Sequence, residues 1–204
     1  MCYHSLQRKE AKQLEHRYKA KIKEPALFMV QESYNGFTFP RTPVIANTDS
    51  GIIEHFQWGL IPSWANDNTI RAYTLNAKIE TINEKPAFKA SVNNRCLIIA
   101  DGFFEWQWLD PKGRKKQKYL ITMQKDELFS FGGIWSEWVN KITGEIIRSY
   151  SIVTTEANEM MAVIHNTKKR MPVILEPGEE KEWLAGASFN LFKKRNVDLI
   201  AVAV

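Results

Sequence analysis

The chain has 204 residues, 44% of them apolar, which suits one domain over residues 1–204 with a sizeable core and leaves too little length for two comfortable ones. A net charge of +5 favours an anionic partner without naming it. No run approaches the roughly 18 apolar residues of a membrane span. The start Met1-Cys2-Tyr3-His4-Ser5 also lacks the apolar stretch of a secretory signal, so a cytoplasmic protein with no membrane contact is expected.

Residues 5 to 21 are rich in Lys, Glu and Gln and hold no Gly or Pro, which predicts a polar helix docked by Leu14 and Tyr18 and ended by Pro25. Extended pieces are expected at 27–30 and 42–46, on either side of a Ser33-Tyr34-Asn35-Gly36 turn, then at 54–60 and 72–79. A short helix at 86–91 begins on Pro86. From Arg95 the pattern turns β-rich. A buried strand at 96–100 and a second at 103–109 precede the turn signal Asp110-Pro111-Lys112-Gly113, and 118–123 returns as the hairpin partner. Strands at 128–134 and 146–154 flank a Thr143-Gly144 turn. Next come a helix at 156–164 with Met160, Met161 and Ile164 on its apolar side, a strand at 171–175, a helix at 179–184 closed by Gly186, and a last strand at 197–204. Strands outnumber helices and join through hairpin-like turns. The expected class is α+β, built on a curved, largely antiparallel β-sheet core with a few short helices.

Two cysteines and four scattered histidines offer no paired-ligand spacing, so no metal or other cofactor is expected. Cys96, inside an apolar run, reads as an inert buried thiol. Cys2 differs because removal of Met1 exposes an amine and a thiol two carbons apart. Their unperturbed pKa values, about 7.7–8.0 and about 8.5, leave both partly available as nucleophiles at neutral pH. Such an aminothiol condenses with an aldehyde, first as a Schiff base and then as a thiazolidine ring. Taken alone, the pair Met1-Cys2 is more often an accident of a frayed start. Three further residues bear on acid–base chemistry. Glu105 stands among aromatic residues, where burial raises a carboxyl pKa; a surface ion pair explains it equally well. His165 suits proton transfer or a structural role. Asn76 suits an oxyanion donor or a cap. Basic clusters at 8–23, 112–118, 168–170 and 193–195 form one groove only if folding gathers them.

Read together and in order, these residues resemble the SOS-response-associated peptidase family. The resemblance rests on Cys2, Trp58-Gly59-Leu60-Ile61-Pro62-Ser63-Trp64, Asn76-Ala77-Lys78, Ala100-Asp101-Gly102-Phe103-Phe104-Glu105-Trp106, and His165 with Arg170-Met171-Pro172. It implies a basic cleft for single-stranded DNA and a thiazolidine link from mature Cys2 to the ring-opened sugar of an abasic site, in a monomeric protein. It also implies that Asn76 positions the sugar, that Glu105 handles protons at Cys2, and that His165 assists Schiff-base formation and ring opening. DNA contacts would fall to Lys78, Trp106 and Arg170, with Pro40 near the cleft. This chain departs from the family's usual Cys-Gly-Arg start, leaving His4 as a partial stand-in for a phosphate-binding Arg. Lys78 replaces the Arg of Asn-Ala-Arg, which keeps charge but loses the bidentate fork. Three extra residues, 166 to 168, separate His165 from Arg170, which bears on whether the two still face one site. Two other functions compete. One is a thiol peptidase with Cys2 as nucleophile, although Cys2 directly after Met1 leaves no leader to cleave. The other is a non-catalytic binder of single strands.

Overall fold

A computed structural model describes residues 2–124 and 127–204, the Leu27 side chain excepted. Met1, whose removal the aminothiol reading requires, lies outside the described residues.

The first element is a strand, not a helix. β1 (His4–Gln7) has Ser5, Leu6 and Gln7 buried, and it lies between β3 (Gln31–Asn35) and β8 (Gly102–Trp108), antiparallel to both. Sheet pairing on two sides overrides the helical composition of this stretch. The helix begins only at Ala11, where Glu10 and Gln13 form a capping box, and α1 (Ala11–Tyr18) ends on Lys19 in the left-handed region at φ 52°. It docks as its two apolar residues predict. Leu14 is buried, and the Tyr18 hydroxyl shares a 2.9 Å hydrogen bond with Ser130 Oγ. The strand expected at 27–30 is instead a 3₁₀ turn (Pro25–Leu27) leading into β3.

The five-stranded sheet runs β14-β9-β8-β1-β3, with β9 (Lys116–Met123) and β14 (Leu199–Ala203) on one flank. The larger sheet is built on β4 (Arg41–Ala46), β5 (Asp49–Trp58), β7 (Arg95–Ala100), β10 (Phe129–Val139) and β11 (Ile146–Glu156). These pair antiparallel in the order β11-β10-β7-β4-β5. A parallel contact, Ser149 with Gln57 and Tyr150 with Trp58, then joins β5 back to β11 and closes the ring. Closure forces the strong curvature read from the sequence. Short strands β2 (Lys21–Ile22), β6 (Asn76–Lys78), β12 (Arg170–Pro172) and β13 (Ile174–Leu175) add to its edges. Residues 72–79 are only partly extended, since a 3₁₀ turn at Thr69–Tyr73 precedes β6.

β7 is buried along its whole length because both faces are covered. Cys96, Ile98 and Ala100 join the cluster that holds Cys2, Phe103 and Ile121, while Leu97 and Ile99 join Leu14 and Trp183 under the helices. The remaining helices are α2 (Pro86–Lys89), α3 (Glu159–Ile164) and α4 (Pro177–Leu184). Among the described residues, no helix is long and apolar enough to cross a membrane.

Gly133 on β10 marks the tightest point of this core. A Cβ there would collide with Ile98 and stand 2.9 Å from Cys96 Sγ. By contrast, a Cβ on Gly178 of α4 meets nothing within 4 Å. In denaturant titrations, Gly133→Ala is therefore expected to lose about 1–3 kcal/mol from overpacking. Gly178→Ala is expected to be neutral or to gain up to about 1 kcal/mol from helix propensity.

Candidate active site

Cys2 and Tyr3 are fixed rather than frayed. The Tyr3 carbonyl accepts the Gly36 N–H at 2.8 Å, and the Cys2 carbonyl accepts Nδ2–H of Asn76 at 2.9 Å. Asn76 reaches it from β6, which pairs parallel with β11 through Ile152. Asn76 Oδ1 is buried with no hydrogen-bond partner among the described residues, leaving an acceptor in hand. Cys2 is fully buried, and its thiol makes only a long 3.7 Å contact to the His4 carbonyl. Burial first, and the Glu105 charge second, push that thiol well above its ordinary value. At rest it is a neutral thiol that requires a base.

Glu105 is that neighbour. β8 alternates, with Phe103 and Glu105 turned into the core and Phe104 and Trp106 half-exposed. The register pairs His4 with Phe104, so one step further sets Tyr3 opposite Glu105. Burial raises the Glu105 carboxyl to about 7 against the lowering pull of the Trp106 N–H. On the other side of the strand, Trp106 meets the His4 ring at 4.9 Å edge-on and lies 5.9 Å from Lys118 Nζ.

His165 terminates α3, whose start is capped by Asn158 Oδ1 accepting the Met161 N–H at 2.9 Å. The ring is buried, and burial lowers its pKa to about 4. Nδ1 accepts the Arg170 N–H at 3.0 Å. A neutral imidazole with an accepting Nδ1 carries its proton on Nε2, so at neutral pH His165 is a hydrogen-bond donor there. Glu105 and His165 are thus shifted in opposite directions, each by burial first.

The three extra residues do not separate His165 from Arg170. Lys169 takes the left-handed conformation at φ 48°, the Lys169 N–H returns to the His165 carbonyl at 2.9 Å, and the Arg170 N–H reaches the ring. Asn166 then fastens the loop to β8, accepting the Trp108 N–H at 3.1 Å and donating to its carbonyl at 2.8 Å. The Arg170 side chain differs from expectation. Its guanidinium is buried and bidentate to Glu80, at 2.8 Å and 2.8 Å, with the Thr154 carbonyl at 2.6 Å. A charge so engaged is not offered to a phosphate; what Arg170 contributes directly to the site is its main-chain N–H. Lys78, on β6 opposite Thr154, is exposed and has no ion pair among the described residues. Pro40 closes the loop that begins at Gly36 against Tyr3, and its carbonyl accepts the Trp58 N–H at 2.9 Å.

Sequence reading missed Asn166 and Glu80. Nothing in a polar Asn-Thr-Lys-Lys run marks a clamp, and Glu80 looks like any solvated acid until Arg170 is seen to be buried. Among the described residues, no group of three or more His, Cys, Asp or Glu is placed to hold a metal ion.

Comparison with known proteins follows this geometry. The abasic site processing protein YoqW of Bacillus subtilis is 42% identical over 142 residues, which cover 69% of this chain and 61% of that protein. The abasic site processing protein HMCES of Xenopus tropicalis is 30% identical over 186 residues, covering 76% of this chain and 54% of that one. The chain thus matches about three fifths or less of these relatives' own length. A crystal structure of a Bacteroides thetaiotaomicron protein superposes with a TM-score of 0.89 at 34% identity, over 100% of this chain and 92% of the other. Residues 1–198 match the family described as SOS response associated peptidase (SRAP), and the chain belongs to that family.

Proposed function

We propose that this chain binds single-stranded DNA and captures abasic sites covalently through Cys2 after removal of Met1, with residues 1–204 acting as one domain and as a monomer in the cytoplasm. The observation that carries the reading is the fixed Cys2: its carbonyl is held by Asn76, and Glu105 stands across the sheet. The names of the relatives, which are abasic site processing proteins, point the same way. The Cys2 amine adds to the aldehyde of the ring-opened sugar, and water leaves to give an imine. The sulfur then adds to the imine carbon while nitrogen takes up the thiol proton. One aldehyde and one aminothiol become one thiazolidine and one water.

Glu105, near half-ionised at neutral pH, accepts a proton from the amine or thiol and returns one to the departing hydroxyl. His165 donates from Nε2 to the sugar oxygen as the ring opens. Asn76 holds Cys2 and the sugar in register. Lys78 supplies a phosphate contact, Trp106 a stacking surface, His4 a polar edge beside it, and Pro40 a wall of the cleft. The peptidase reading has the family's description behind it and no further observation.

Mature protein, checked by mass for loss of Met1, is incubated with abasic and intact strands and run on a denaturing gel. A heat-stable shifted band is expected with the abasic strand alone. Cys2→Ser should lose it, since an oxazolidine hydrolyses readily, and a Cys2→Ala protein that still gives the band would remove Cys2 from the chemistry.

The pH profile tests Glu105. Its carboxyl acts as a base only when ionised, so capture slows as pH falls through about 7. Protonation of the amine, at about 7.7–8.0, adds to the same fall. Glu105→Gln should cost about 10²-fold or more in rate and keep only the amine's inflection. An unchanged profile would assign Glu105 a structural part.

His165→Ala should slow capture by a similar factor while leaving affinity for intact strands within a few-fold. Lys78→Ala should weaken intact and abasic strands alike and lower the salt slope by about 0.7. Wild-type capture rates for the first, or an unchanged slope for the second, would each overturn the assignment.

A further inference from the structure

The bond pair between Asn166 and Trp108 does more than fasten a loop. It joins the β8–β9 hairpin, which carries the basic run 112–118, to the loop that carries Lys168 and Lys169, two segments far apart in sequence. Between them lies a recess of about 470 Å³ lined by Trp108, Leu109, Asp110, Pro111, Asn166 and Thr167. The hairpin turn that forms one wall is rigid. Asp110 accepts the N–H groups of Lys112 at 2.8 Å and Lys115 at 2.5 Å, and Gly113, at φ 65°, packs so closely on Trp108 that a Cβ would stand 2.7 Å from the ring.

The charge around this recess is one-sided. Lys112, Arg114, Lys115 and Lys116 on the hairpin and Lys168 and Lys169 on the loop are exposed, and none is ion-paired with an acid among the described residues. The one carboxylate lining the recess, Asp110, is already met by backbone N–H groups, which hold it below its ordinary value. Exposed Leu109 gives the recess an apolar patch. Cations together with an apolar surface suit a chain that alternates phosphates with sugars and bases. The position suits it as well. Asn166 directly follows His165, and Trp108 lies three strand residues beyond Glu105, about 10 Å along β8.

We propose that this recess, with the exposed cations carried by the hairpin and loop that line it, holds the phosphodiester backbone of the DNA flanking the abasic nucleotide. The proposal rests on the reading that the site captures abasic DNA, and it adds a second contact zone outside the cleft that grips the nucleotide itself. Asn166 and Thr167, between His165 and Arg170, build one wall of the zone.

Binding to intact strands tests it without any covalent step. A triple variant, Lys112→Ala with Lys115→Ala and Lys168→Ala, alters only exposed side chains. Its affinity is measured against salt for a single strand long enough to span both site and recess, and for a short strand covering the site alone. The long strand should bind about tenfold more weakly at low salt, with the salt slope lowered by about 0.7 for each phosphate that the variant no longer grips. The short strand should bind as it does to the unaltered protein. An unchanged slope on the long strand overturns the proposal, and so does an equal weakening on both strands, which would place these cations inside the cleft. Denaturing gels run in parallel keep the two readings apart. Absence of adduct from the unaltered protein would sink covalent capture, while intact-strand binding still decides the recess.

Discussion

Everything at the site depends on β1 lying between two strands rather than at the edge of its sheet. A chain end is ordinarily the least ordered part of a domain. Here His4 to Leu6 are paired with β8 on one side while His4, Ser5 and Gln7 meet β3 on the other. Each backbone bond is worth only about 0.5–1.5 kcal/mol net, but several act together and Leu6 is buried between them. Register matters as much as stability, because a slip of one residue would turn every side chain to the opposite face. In the observed register Tyr3 falls opposite Glu105, and Cys2 is held within reach of Asn76.

The far end of β1 explains the block 100–106 residue by residue. Asp101 is fully buried and accepts from the Arg8 main chain at 3.2 Å and from its Nε at 3.0 Å, while its own N–H binds the Leu6 carbonyl. Gly102 lets β1 and β9 approach together, since a Cβ there would stand 3.1 Å from the Ile121 carbonyl and 3.2 Å from Leu6. Phe103 fills the core, Glu105 faces the site, and Trp106 turns outward to His4. One short block of sequence thus anchors the strand, spaces the sheet, and supplies an acid.

Much of this was legible in the sequence, and the misreadings have physical causes. The hairpin of β8 and β9, the buried β7 and the docking of α1 all follow from periodicity and turn chemistry. Residues 5–7 misled because helix propensity is a weak preference that two neighbouring strands outweigh. The closure of the ring through Tyr150 and Trp58 was invisible, since parallel pairing between distant strands leaves no local signature. At the site, Cys2, Asn76, Glu105 and His165 were found as residue types, but their shared electrostatics depend on burial that no spacing reveals. The family resemblance made Arg170 a DNA contact, and only its bidentate pairing with Glu80 shows where that charge goes.

That pair also accounts for how an insertion next to a buried histidine is tolerated. Taking Glu80 away would leave the buried Arg170 guanidinium uncompensated, at a cost of up to about 3–5 kcal/mol, so Arg170 is a fixed point for the chain that precedes it. The helix end is the other fixed point, because the His165 N–H bonds back to the Met161 carbonyl at 2.8 Å. Extra residues between two such anchors cannot move either one. They can only bulge outward, and the left-handed Lys169 together with the Asn166 clamp sets the direction of the bulge along β8. The ring therefore keeps its neutral state and its donor at Nε2 while the loop outside it is free to take new surface chemistry. In this fold, the constraint that protects the histidine is the same one that leaves the added residues exposed.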